Sequence, residues 1–321
     1  HHVGINLYPR GKVGVQAEDT RLFIGKYQVV SVINAVINLF KAYGFIDNRN
    51  KNRLHFLLEA VGMEAFVDAI KQYEGLALES SGEVLATEEF LLDESGVLEL
   101  DEQKIAVHLS IPSGIFTGES LIEAAKAAQE VDGEIRLSIE QSLFIITTPQ
   151  KAKRVKESML FDIYSRYHNA YFDHLIACAG TATCAFGVIP NKPDAIEMSN
   201  FLHKEVPIKG GKVRMYWSAC PKGCGIHGVA DIGFEGCKAK DQEGNKVDGV
   251  HIYLGGKATK EAKEARVIYK AIPLKDAKYK VKKLMELYRD ERQEAESFEA
   301  FDTRVLSHMS PEKVMEMIES R

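Results

Sequence analysis

Hydrophobic positions change rhythm along the chain. Over 29–43, Val29, Val32, Ile33, Val36, Ile37 and Phe40 recur at helical spacing, and Gly44 follows as a C-terminal cap. A second helix is predicted over 51–73, with Leu54, Leu57, Leu58 and Val61 on one side and Phe66, Ile70 and Tyr73 continuing it. From 104 the pattern turns to the alternation of a strand, Ile105-Ala106-Val107-His108-Leu109-Ser110-Ile111. A helix over Glu119–Glu130 follows, then a strand pair or one long strand over Glu134–Thr147, which together suggest a small α/β unit. After Pro149 the pattern predicts a basic helix over 150–167, strands at Val213–Trp217 and Val250–Leu254, and a Lys-rich helical end.

Between these regions, residues 75–103 hold nine acidic residues and no Lys or Arg, broken by Gly75, Ser80-Ser81-Gly82 and Ser95-Gly96. Such a stretch reads as a solvated connection whose apolar pieces can pair as short strands. An internal repeat is also visible. Gly4-Ile5-Asn6-Leu7-Tyr8-Pro9-Arg10-Gly11-Lys12 resembles Gly249-Val250-His251-Ile252-Tyr253-Leu254-Gly255-Gly256-Lys257, and each is followed by a loop and a helix. The helices match through Ile33, Val36, Ile37 and Phe40 against Val281, Leu284, Met285 and Tyr288, the spacing of a buried face. The second copy follows a long strand and cysteine segment, about 100–245, whereas the first has only His1-His2-Val3 before Gly4 in this sequence. The reading is a duplicated protein with an incomplete first repeat; two unrelated strand–loop–helix units are the alternative.

The composition is that of a soluble chain of 321 residues, 45% hydrophobic and 27% charged, enough for two or three domains. No stretch approaches the roughly 20 apolar residues of a membrane span, and the start lacks a signal-peptide layout. The chain therefore reads as cytoplasmic, with no membrane partner. A net charge of −5 gives no reason to expect a nucleic-acid partner.

Chemistry concentrates in the cysteines. All five, Cys178, Cys184, Cys220, Cys224 and Cys237, fall within one short region, too few for a disulfide scaffold and odd in number. Cys178-x5-Cys184 and Cys220-x3-Cys224 make two thiolate clips. Soft thiolates in paired clips suit an iron–sulfur cube, while structural zinc prefers clips with two to four intervening residues. Small residues throughout Ala177–Cys184 let the backbone approach a bulky inorganic group. Zinc and four buried structural thiols remain as alternatives on spacing alone.

The first clip, followed by Met215-Tyr216-Trp217-Ser218-Ala219-Cys220-Pro221-Lys222-Gly223-Cys224-Gly225 and Val229-Ala230-Asp231-Ile232-Gly233-Phe234-Glu235-Gly236, resembles the sirohaem and [4Fe-4S] segment of the nitrite and sulfite reductase family. Gly133–Ser142 resembles the family's second-repeat strand, and Asn48-Arg49-Asn50-Lys51-Asn52-Arg53 its motif between the halves. The resemblance spans about 3–290 and corresponds to the C-terminal two-thirds of such an enzyme. It implies an α+β fold with duplicated nitrite/sulfite reductase architecture. The domains would be the end of a first-repeat α/β domain (1–75), the acidic connection (76–103), a ferredoxin-like half-domain (104–165) and an iron–sulfur/sirohaem domain (166–321).

The resemblance further implies that Cys178, Cys184, Cys220 and Cys224 bind one [4Fe-4S] cluster, with Cys224 also bridging to sirohaem iron. Gln141, Ser218 and Lys222 would lie against the macrocycle, together with Arg136 and Asn6. Lys222 stands where the family usually has Asn, and Pro9-Arg10 interrupts what is normally a Gly-rich run. The family's substrate-holding Arg and Lys come mainly from the half not represented here, so no catalytic residue is assigned. The implied activity is six-electron reduction of nitrite to ammonium, with a ferredoxin or similar electron donor and a small anion as substrate. Trp217 and the string ending at Cys237 look more like the assimilatory ferredoxin-type nitrite reductases. Sulfite reduction is the alternative, and a non-catalytic iron–sulfur electron-transfer subunit or fragment is the third reading.

The remaining features carry less. Cys237 reads as a small buried hydrophobe and His227 as a structural hydrogen-bonding group. His1 and His2 receive no role. Gly210-Gly211 and Gly255-Gly256 follow no nucleotide-binding pattern. Between Lys257 and Lys283 ten basic residues face three acidic ones, a stretch that either steers an acidic electron donor or is a solvated helix face.

Overall fold

A computed structural model of the chain describes residues 4–11, 17–48, 50–81, 96–258 and 262–321. The chain divides into two compact units, His1–Glu88 and Glu89–Arg321.

In the first unit, β1 (Gly4–Ile5), β2 (Leu22–Gly25) and β3 (Glu79–Ser80) form an antiparallel sheet in the order β1-β2-β3. Three helices follow β2: α1 (Val29–Tyr43), α2 (Leu54–Val61) and α3 (Met63–Gln72). Leu22 and Ile24 of the sheet close a core with Val32, Ala35, Leu58, Phe66 and Ile70. The single helix expected over 51–73 is two helices. Gly62 separates them with φ 81, a left-handed conformation that ends one helix and begins the next.

The expected buried face of α1 is also corrected. Val32 and Ala35 are buried and Val29, Val36 and Leu39 pack beside them, whereas Ile33 and Ile37 are 51% and 46% exposed. The helix carries apolar residues on two sides, and its packing against β2, α2 and α3 uses only one of them.

The second unit begins with an antiparallel sheet of β4 (Val97–Glu99), β5 (Ile105–Leu109), β6 (Glu134–Leu137) and β7 (Leu143–Thr147), in the order β4-β5-β7-β6. The acidic connection lies outside the described residues over 82–95; of its flanks, the polar Glu79–Ser80 pairs with β2 as β3, and Val97–Glu99 pairs with β5 as β4. The segment Glu134–Thr147 is a strand pair joined by a tight turn in which Gln141 has φ 62. Ile105, Val107 and Leu109 project from one face of β5 onto α4 (Gly118–Glu130), α5 (Pro149–Lys156) and α6 (Met159–Ser165). His108 is on the other face and is also buried. The helix expected over 150–167 is the pair α5 and α6. Ser158 interrupts it with an extended backbone and caps α6 by accepting the Phe161 amide at 3.2 Å.

A five-stranded sheet completes the unit, in the order β12-β11-β10-β9-β8. Its strands are β8 (Leu175–Ala177), β9 (Met215–Ser218), β10 (Ile232–Lys240), β11 (Lys246–Leu254) and β12 (Arg266–Pro273). β8, β9 and β10 are parallel neighbours, and β10, β11 and β12 are antiparallel. Helices α7 (Lys192–Glu205), α8 (Leu274–Glu291), α9 (Phe298–Phe301) and α10 (Pro311–Glu319) supply its layers. Trp217 and Phe234, fully buried on adjacent strands, stack with ring centroids 3.9 Å apart.

The repeat is visible as architecture. β1 and β2 form an antiparallel pair that leads into α1, and β11 and β12 form one that leads into α8. The repeat-equivalent Gly4 and Gly249 sit at matching points of these pairs, and a Cβ would stand 2.6 Å from the Ile24 carbonyl oxygen in the first and 2.7 Å from the Ile272 carbonyl oxygen in the second. On α8 the expected face, Val281, Leu284, Met285 and Tyr288, is buried.

Arg214 and Asp231 lock the base of β9 to β10. Both side chains are buried, with Arg214 Nη2 2.6 Å from Asp231 Oδ1 and the Arg214 amide donating to Asp231 Oδ2 at 2.7 Å. Asp231→Ala leaves that guanidinium buried without its main counter-charge and is expected to cost about 3–5 kcal/mol. Urea unfolding of the variant checks this, and a loss below about 1 kcal/mol, the range of an exposed pair, contradicts it.

Candidate metal centre

β8 and β9 run side by side with Ala177 opposite Trp217, and the Cys178 amide extends the pairing by donating to the Trp217 carbonyl at 3.1 Å. Parallel neighbours in this register end at the same level. The first cysteine clip opens directly after β8 and the second just after Ser218, so both emerge from one edge of the sheet. Carboxyl ends of parallel strands are a general location for bound groups. The Val188 amide ties the two emerging loops together by donating to the Ala219 carbonyl at 2.9 Å, and the Thr181 amide closes the first loop on itself by donating to the Ile189 carbonyl at 3.1 Å.

The small residues of the clips are dictated by close approach. Gly180 has φ 72, and a Cβ there would stand 1.8 Å from the Pro190 carbonyl oxygen. Gly223, also at φ 72, turns the chain between Cys220 and Cys224. Cys220 is buried, Cys178 and Cys184 are partly buried and Cys224 is exposed.

Donors and positive charge face Cys178. The Ala219 amide donates to its sulfur at 3.2 Å, and Asn191 Nδ2 stands 3.4 Å from the same sulfur. Asn191 Nδ2 also reaches the carbonyls of Cys178 (2.9 Å) and Trp217 (3.1 Å). Asn191 is fully buried in a left-handed conformation, and its own amide donates to Asp194 Oδ2 at 2.7 Å at the start of α7. Burial lowers the pKa of the neighbouring Lys192, opposed by the pull of Cys178, and the ammonium donates to the Ser113 carbonyl.

The cysteine sulfurs do not form a ready tetrahedral set. Among the described residues no three cysteine sulfurs lie within 4.8 Å of one another. A single tetrahedral ion at Zn–S distances of about 2.3 Å needs sulfurs roughly 3.8 Å apart. Two nitrogen donors, the Ala219 amide and Asn191 Nδ2, are aimed at the Cys178 sulfur, the kind of contact that iron–sulfur thiolates receive.

Gln141, Ser218 and Lys222 are at the cysteine end of the sheet. Gln141 pairs its side-chain amide with the backbone of Ala177, donating to the carbonyl at 3.1 Å and accepting the amide at 2.9 Å. Ser218 is fully buried; its hydroxyl accepts the Gly225 amide at 3.0 Å and meets His227 Nδ1 at 2.9 Å. His227 Nε2 lies 3.2 Å from Glu235, whose carboxylate accepts the Tyr253 hydroxyl at 2.7 Å. Burial lowers the His227 pKa, and Glu235 works against it. Lys222 is exposed, with its ammonium 4.5 Å above the ring of Phe186, so the second clip meets the segment just after the first through a cation–π contact.

Arg136 is exposed on the edge strand β6 and paired with Glu134. Asn6 lies in the first unit, 3.4 Å from Asp19. Cys237 sits on β10 opposite Gly249, its thiol pKa raised by burial. The basic stretch 257–283 is extensively paired within the fold: Lys278 with Glu197, Lys280 and Lys283 with Glu319, Lys282 with Glu205 and Lys257 with Glu299. The local excess of positive charge is thereby largely matched.

Sequence reasoning did not single out Asn191, Lys192 or Phe186. Asn191-Lys192-Pro193-Asp194 is a legible helix start, Asn before Pro with Asp three residues on, and its position shortly after the first clip could have marked Asn191.

The family model for the nitrite and sulphite reductase 4Fe-4S domain matches residues 1–78 and 174–321. The chain is 30% identical over 261 residues to the chloroplastic ferredoxin–nitrite reductase of Spinacia oleracea, covering 79% of this chain and 44% of that protein. It is 31% identical over 242 residues to a ferredoxin–nitrite reductase of Synechococcus elongatus, covering 74% and 46%. An assimilatory ferredoxin-dependent nitrite reductase of Haloferax mediterranei is 24% identical over 315 residues, covering 92% and 54%. The chain thus spans about half the length of the curated relatives it matches. Among solved structures, the Mycobacterium tuberculosis NirA protein shares the fold with a TM-score of 0.78 at 21% identity, over 97% of this chain and 58% of that one. Among the described residues no helix is long and apolar enough to cross a membrane.

Gly180→Ala introduces both a left-handed alanine and a clash with fixed backbone. It is expected to cost about 2–3 kcal/mol or to displace the first clip. Urea unfolding together with the accessibility of Cys178 and Cys184 to a thiol reagent checks this, and wild-type values for both contradict it.

Proposed function

Since the chain belongs to the nitrite and sulphite reductase family, we propose that it is the electron-delivering part of an enzyme that reduces nitrite to ammonium. Cys178, Cys184, Cys220 and Cys224 hold a [4Fe-4S] cluster, and Cys224 also bridges to the iron of a sirohaem. The observation that carries this reading is the convergence of the two clips at the ends of β8 and β9, with the Ala219 amide and Asn191 aimed at the Cys178 sulfur. When bound, the two cofactors supply single-electron storage and a site for the anion, over six electrons and eight protons per nitrite.

The roles of the chain's own residues follow from their placement. Ala219, Asn191 and Lys192 bring amide donors and positive charge to Cys178, which favours thiolate and stabilises the added electron of a reduced cluster. Cys224, the exposed member of the set, is the one free to share its sulfur with a second iron. Gln141 fixes the strand edge beside Cys178, and Ser218 with His227 holds the turn behind Cys224. Lys222 offers a cation to a carboxylate-bearing macrocycle, and Arg136 offers another from β6. Asn6 is the corresponding candidate in the first unit. The names of the relatives support a ferredoxin as donor.

The reading is tested by anaerobic purification and measurement of iron, acid-labile sulfide and sirohaem, with nitrite and sulfite both assayed as substrates. About four irons and four sulfides belong to the cluster, and one further iron accompanies sirohaem. Cys237→Ala is expected to keep the full iron content, while Cys224→Ser loses the coupling between haem and cluster. Stoichiometric zinc without iron, or wild-type coupling in Cys224→Ser, contradicts the assignment. Asn191→Asp replaces a donor to sulfur by a carboxylate and is expected to lower the cluster's midpoint potential in a titration followed by electron paramagnetic resonance; an unchanged potential rules out that tuning role.

A further inference from the structure

At the opposite end of β8 from the cysteines lies a cavity of about 1010 Å³, lined in part by His168, Asn169, Asp173 and Lys212. Two of these lining residues, His168 and Asp173, meet a third side chain, His108, that is buried behind them, and none of the three has a part in the cysteine site. His108 lies in the middle of β5, a strand buried on both faces, and His168 and Asp173 lie in the loop between α6 and β8. One potential ligand atom from each of the three residues falls within 4.8 Å of the other two.

The geometry is that of a metal-binding triad. His168 Nδ1 is 2.9 Å and His108 Nδ1 is 3.7 Å from Asp173 Oδ1. Ligands placed tetrahedrally around a metal at about 2.0–2.1 Å stand roughly 3.4 Å apart, between these two values. The His108 side chain is only 2% exposed, yet its Nδ1 has no hydrogen-bond partner, a costly arrangement for a buried ring nitrogen. A second buried polar atom, Nδ2 of the cavity-lining Asn169, is likewise unpartnered. His168 and Asp173 are slightly open to the cavity, which gives an ion a path of entry.

We propose that His108, His168 and Asp173 bind a divalent transition metal of the zinc class through two imidazole nitrogens and one carboxylate oxygen, with the open position facing the cavity. A water there would complete the coordination and accept the free Asn169 amide. Such an ion would fasten β5 of the four-stranded sheet to the loop that sets the start of β8. This proposal is independent of the cysteine assignment.

The experiment is titration of Zn2+ into the purified full chain, followed by calorimetry and by X-ray absorption at the zinc edge. The expected result is one zinc per chain with only nitrogen and oxygen in its first shell, and at least about tenfold weaker binding in Asp173→Asn and in His168→Ala. Both substitutions are at partly exposed positions; His108→Phe is the buried counterpart, with its urea midpoint as a check on folding. Absence of zinc binding, a sulfur-dominated first shell, or unchanged affinity in Asp173→Asn and His168→Ala would overturn the proposal and leave the triad as a hydrogen-bonded cluster.

Discussion

The in-register parallel pairing of β8 with β9 is the constraint from which the rest of the site follows. With Ala177 opposite Trp217, the two strands release their chains at one level, and cysteines distant in sequence emerge together. Trp217 stacked on Phe234 and the buried Arg214–Asp231 pair keep β9 in line with β10, so the register is enforced by packing and charge beneath it. A slip of one residue would turn Trp217 out of the core and carry Cys220 away from Cys178.

Beyond that edge, the structure spends its polar groups on holding the loops. Gln141 replaces a missing neighbouring strand for β8, linking the four-stranded sheet to the cysteine strand. Ser218, His227, Glu235 and Tyr253 make one continuous chain of hydrogen-bonded groups behind the second clip, spread over β9, β10 and β11. Fully engaged networks of this kind rigidify their surroundings. The exposed Cys224 and Lys222 stand on a rigid support.

Much of this was legible in the chain. The clips, the Ala–Gly–Thr composition inside the first of them and the Ser218–Gly225 string announce a thiolate site because cofactor chemistry restricts residue type and spacing. The repeat was legible for a similar reason: Gly4 and Gly249 each sit where a neighbouring strand leaves no room for a Cβ. Helix boundaries were less so. The break at Gly62 and the cap at Ser158 depend on single residues inside otherwise continuous apolar patterns. The face of α1 could not be chosen from periodicity, since its apolar residues cover two sides and only the tertiary partners select one. Asn191 was hidden because its contribution comes from three-dimensional proximity to Cys178, thirteen residues away. His108 looked like one more residue in a strand, and its neighbours come from a loop some sixty residues on.

The central claim is that the four clip cysteines surround one inorganic cube. X-ray absorption at the iron edge of the anaerobically purified chain tests it most directly. The account predicts a first shell dominated by sulfur together with the iron–iron scattering of a multinuclear cluster. Iron with a nitrogen- and oxygen-dominated shell and no iron–iron scattering would contradict it.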